Sequence, residues 1–324
     1  MKRWTRKTQA LALAVLAVSA CGGHAHDDSP AARIGPALGA ALGAADHTRA
    51  PWRCADEGVP PLPAEERKLG ARTWKLAGHE VSADGETDLT IGVVADAGGS
   101  APATLAAIGR LRGALAHADL VVTLGGMGAN QAEIEATLGA LADQAPFPVV
   151  ALPGDLEPAD AQAKAIAALR AKGVPVVDGR LARRIELPGA TIATLPGAGA
   201  ASRLVAGAEG CGYRPEDVAA AAAALTALPG LRIVAEAEAP RGMHGGDATG
   251  DPALVPDAAH PFDLALHGAA DAVSPAQSGG RDGKGVALTP GPSDATPRLP
   301  GPVRAPTAGM LVVRAGTWSW KPIR

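Results

Sequence analysis

From Asp88 onward short apolar runs alternate with amphipathic stretches of helical period, and this alternation restricts the chain more than any other feature. Leu89 to Ala95 is almost continuously apolar, as a parallel strand covered on both faces requires. A helix is expected over 101–116, with Ser100 as N-cap, Pro102 in the first turn and Leu105, Ile108, Leu111 and Leu115 on one face. Leu120 to Leu124 is the second strand, and 130–142 the second helix, through Ile134, Leu138 and Leu141. Pro148 to Leu152 is the third strand and 159–172 the third helix.

The connections then shorten. Strands are expected at Val174 to Val177, Ala182 to Leu187 and Thr191 to Leu195, separated by Gly-containing turns. An Ala-rich helix over 215–228 opens on Pro215, Glu216 and Asp217 and stops at Pro229-Gly230. Leu231 to Ala235 and Phe262 to His267 are further buried strands, and Met310 to Arg314 pairs with Thr317 to Trp320 around Ala315-Gly316. Residues 72–82, carrying Trp74, Leu76 and Val81, are expected to form a short strand that enters the domain.

With 324 residues, 47% of them hydrophobic, the chain can bury a core, and a formal charge of -3 offers no basic surface for nucleic acid. One Tyr, two Phe and five Trp are too few for a stacking platform.

The N-terminus has the three parts of an export signal: Lys2, Arg3, Arg6 and Lys7, the apolar run Leu11 to Val18, and small residues ending at Cys21. Val18-Ser19-Ala20-Cys21 resembles a bacterial lipobox. That resemblance implies cleavage before Cys21, acylation of its thiol and amine, and a lipid-anchored envelope protein. Gly22 in place of Asp favours the outer membrane. Residues 1–20 are then the signal peptide, 21–50 a flexible tether and 51–324 the domain. His24-Ala25-His26-Asp27-Asp28 falls in that tether and is read as solvated linker. Once Cys21 carries lipid, Cys54 and Cys211 remain as an even pair in an oxidising compartment, and a disulfide between them is expected. Closing so long a loop would stabilise the fold by roughly 4 to 5 kcal/mol in the chain-entropy model.

Ligands of open α/β sheets bind beyond the carboxyl ends of the strands. The residues there are Asp96-Ala97-Gly98-Gly99, Gly125-Gly126-Met127-Gly128, Pro153-Gly154-Asp155-Leu156-Glu157, Ala237-Glu238-Ala239-Pro240 and His267-Gly268-Ala269-Ala270-Asp271. From about 88 to 270 this order of strands and loops resembles the calcineurin-like metallophosphoesterases. The resemblance implies an α/β fold, a four-layer α-β-β-α sandwich, and a site at these loops.

In that family two cations sit on Asp-x-His, Gly-Asp, Gly-Asn-His, an isolated His and Gly-His-x-His, and a bridged water attacks phosphorus. Here Gly98 stands for the first His, Gly126 for the bridging Asp, Asp155 and Leu156 for Asn and His, and Ala237 for the isolated His. The last motif reads Gly268-Ala269-Ala270-Asp271, and Asp96 alone is an intact ligand. The expectation is a non-catalytic binding or scaffold protein with no cofactor, whose partners are the membrane, through its lipid, and an envelope protein or anionic ligand.

The alternative is a divergent phosphoesterase holding one divalent metal on a rebuilt set. Its candidates are Asp96, Asp155, His244, His267 and Asp271. The Gly-rich turns at 98–99 and 125–128 present backbone N–H groups that can hold an anion, although tight strand-to-helix turns need the same glycines. Glu157, Glu236 and Glu238 lie at loop mouths, where carboxylates are usually solvated.

Overall fold

A computed structural model describes residues 61–199, 204–226, 228–240, 262–268, 276–279, 285–293 and 306–324, all within the compact unit Thr48–Arg324. The chain enters as three antiparallel strands, β1 (Leu62–Leu69), β2 (Arg72–Gly78) and β3 (Glu80–Asp84). The sequence suggests one short strand over 72–82 where the chain forms two, β2 and β3, reversing at Gly78-His79 with Gly78 at φ +64, and it misses β1, in which Glu65, Arg67 and Leu69 are half-buried without an apolar stripe.

Next come β4 (Leu89–Val94), α1 (Pro102–Ala114), β5 (Leu120–Leu124), α2 (Gln131–Ala142), β6 (Val149–Leu152), α3 (Ala159–Ala171) and β7 (Val176–Asp178). After β8 (Arg184–Leu187) and β9 (Ala190–Leu195) follow α4 (Pro215–Thr226), β10 (Leu231–Glu236) and β11 (Leu264–His267). The remaining strands are β12 (Ala276–Gly279), β13 (Val286–Thr289), β14 (Ala308–Arg314) and β15 (Thr317–Ile323). Among the described residues no helix is long and apolar enough to cross a membrane.

Two sheets result, one in the order β1-β2-β3-β8-β9-β10-β11-β13-β12 and the other β15-β14-β4-β5-β6-β7. Alternation along each strand divides the core in three. Leu89, Ile91 and Val93 of β4 meet Ile192, Ile233 and Leu266 between the sheets. The opposite face of the six-stranded sheet, with Val94, Val121 and Val149, packs under Ile108, Leu111, Ile134, Leu138 and Ile166 of the three helices. The outer face of the other sheet, through Ala193, Val234 and Ala265, packs against Val218 and Leu225 of α4. The architecture is the expected four-layer α-β-β-α sandwich.

Local chemistry sets the helix ends. Asn130 caps α2 by accepting the Glu133 N–H through Oδ1 at 3.1 Å, and Glu133 Oε2 in turn accepts from Ala129 N–H at 2.9 Å. The expectation for α1 is corrected: its N-cap is Ala101, without a side-chain bond, and Pro102 starts the helix in place of a Ser100 cap. The last hairpin turns through Ala315-Gly316, both at positive φ. Strands β12 and β13 fall in a Gly- and Pro-rich stretch, where the apolar run of β13, Val286 to Leu288, is too short to stand out, and the sequence analysis did not include them.

Candidate functional site

Strands β4, β5 and β6 run parallel in one sheet, as β9, β10 and β11 do in the other, and their exit loops meet over the seam between the sheets. Asp96 N–H donates to Gly125 O and Gly98 N–H to Gly126 O, both at 3.0 Å, which zips the loops after β4 and β5 together. Gly197 N–H, after β9, donates to Pro153 O at 2.8 Å, and Ala206 N–H to Asp155 O at 2.9 Å, which joins the two sheets. The loop after β11 closes the group: a Cβ on Gly268 would lie 2.6 Å from Leu124 O and 2.8 Å from Ala237 O.

Glycine makes this closeness possible. Gly126 has φ +74, and a Cβ built on it would lie 2.6 Å from both Asp96 Cα and Asp96 Oδ1. Gly125 and Gly154 face each other, so a Cβ on Gly125 would lie 2.5 Å from Gly154 Cα and 3.2 Å from the Ala237 methyl. Asp96, Gly126, Gly154, Ala237 and Gly268 thus come together as the loop positions suggested. The space beside Gly126 is filled by Asp96 itself. Asp96 has φ +50, a strained conformation for a residue with a side chain.

Half-buried Asp96 and Asp155 both belong to this layer. His267 ends β11 fully buried, with Nδ1 at 3.0 Å from Gly268 O. Its parity matches Ala265, on the α4 face, whereas Leu264 and Leu266 face the other sheet. His267 therefore shares a strand face with its register partner Glu236. His244, Asp271, Cys21 and Cys54 lie outside the described residues. Cys211 is fully buried beside Gly197. Among the described residues no three His, Cys, Asp or Glu side chains gather as a metal site.

None of the three carboxylates expected in solvent lies there: Glu157 and Glu236 are fully buried and Glu238 is half-buried. Glu157 is fully buried and straps two loops, its Oε1 accepting from Met127 N–H and its Oε2 from Gly154 N–H at 2.8 Å. Burial pushes its carboxyl up to about 7, with Asp155 adding to the rise, while the backbone donors pull the other way. Glu238 Oε2 accepts from Gly199 N–H at 2.9 Å and from Tyr213 O–H at 3.0 Å, which pins the stretch leading into α4.

The Glu157 strap has a measurable consequence. The carboxyl titrates near 4.5 when unfolded and near 7 when folded, so folding favours its protonated form. Its stabilisation is complete below the unfolded value and is lost as pH rises through the folded one, by about 3 kcal/mol in all. Glu157→Gln should flatten the stability profile between those values, although its amide can accept only one of the two N–H groups. The urea midpoint of the parent should fall relative to that of the variant as pH rises across that range. Parallel profiles would show that Glu157 does not titrate there.

No family model and no curated protein matches the chain. Solved structures do. TT1561 of Thermus thermophilus is 15% identical with a TM-score of 0.48, over 73% of this chain and 100% of that one. GAP50, the anchor in the inner membrane complex of Plasmodium, is 9% identical with a TM-score of 0.47, over 74% of this chain and 85% of that one. Purple acid phosphatase PPD1 from yellow lupin is 8% identical with a TM-score of 0.46, over 75% of this chain and 54% of that one.

Proposed function

We propose that the chain is a lipid-anchored envelope protein whose metallophosphoesterase-like domain binds or scaffolds and does not hydrolyse phosphoesters. The supporting observation is Gly126. The residue in the place of the bridging aspartate has no side chain, and the space for one is taken by the Asp96 backbone and carboxylate. A dinuclear mechanism needs that carboxylate to hold two cations at a fixed separation, so that a shared water is deprotonated and aimed. Gly98 and Ala237 likewise supply no donor where the family pattern has histidines.

The test is metal content together with activity. Protein purified without chelator should carry no stoichiometric manganese, iron or zinc by plasma mass spectrometry. It should leave bis-(p-nitrophenyl) phosphate unhydrolysed with any of them added. Near one metal per chain, removed by Asp96→Ala or His267→Ala along with phosphodiesterase activity, would establish the rebuilt-site enzyme instead.

Anchoring rests on Lys2 to Cys21, and the disulfide on the even cysteine pair and the burial of Cys211. One mass-spectrometric experiment on envelope material reads both. The mature N-terminus should be an acylated Cys21, and non-reducing digestion should recover the Cys54 and Cys211 peptides linked. A Cys21→Ser protein that still partitions into detergent, or both of the other cysteines recovered as thiols, would remove the corresponding assignment.

A further inference from the structure

We draw no further inference here: the strongest candidate, the fully buried polar side chains Glu236, His267 and Thr289 at the carboxyl ends of the neighbouring strands β10, β11 and β13, belongs to the strand-end site already described, and nothing among the described residues shows what could reach it.

Discussion

Gly126→Asp, which restores the carboxylate a dinuclear centre needs most, is expected to destabilise the domain by on the order of 3 kcal/mol or more and to recruit no metal. The residue sits at φ +74, where a side chain is strained in any surroundings. Its Cβ would also lie 2.9 Å from Asp96 N, in addition to the overlaps with Cα and Oδ1. The loops cannot simply part, because Asp96 and Gly98 are bonded through their backbone N–H groups to Gly125 and Gly126. The new charge would adjoin Asp96, a like charge. Gly126→Ala separates these causes, since it keeps the overlap and omits the charge, and it should lose most of the same stability. Urea midpoints and metal content measure the outcome. A Gly126→Asp protein within about 1 kcal/mol of the parent that takes up manganese stoichiometrically would mean that the layer is an intact centre lacking one ligand.

The strands that carry the site are legible because parallel strands covered on both faces appear as unbroken apolar runs. Leu120 to Leu124 and Val149 to Leu152 therefore stand out, and the loop residues after them can be counted off directly. What the loops do to one another is a different matter. That Gly126 packs on Asp96, and Gly154 on Gly125, depends on how strands far apart in sequence are set side by side, and no local pattern records it. Glu157 illustrates the same limit: a carboxylate three residues after Gly154 has no sequence mark of burial, because its partners are backbone N–H groups that every residue carries. For His267 a signal was available. Counting by twos from Leu264 and Leu266 puts it on the opposite face from the inter-sheet core, which is where the structure has it.

Arg72 holds the first sheet to the second, and Arg72→Met should cost about 3 to 5 kcal/mol, the range for breaking one side of a buried ion pair. The guanidinium is 5% exposed and spends its donors on three acceptors: Nε on Asp119 Oδ1 at 2.7 Å, Nη1 on Glu86 O at 3.0 Å and Nη2 on Asp88 O at 2.6 Å. Asp119 Oδ2 meanwhile accepts from Thr90 N–H at 2.8 Å, so one cation fixes the β2 start, the β3–β4 connection and the first residues of β4 and β5. Methionine fills similar volume but leaves the 23% exposed Asp119 side chain without its cation and two carbonyls without donors. Arg72→Lys keeps the charge, yet a single ammonium cannot span the fork, so an intermediate loss is expected. The order parent, Lys, Met in urea midpoint, with Asp119→Asn adding little to Arg72→Met, identifies the pair as one coupled unit. If Arg72→Met changed stability by less than about 1 kcal/mol, the bond network would be a surface decoration, and the attachment of the β1–β3 meander would have to come from its pairing with β8, the apolar packing of Trp74 and Val81 and the Glu65–Arg170 pair.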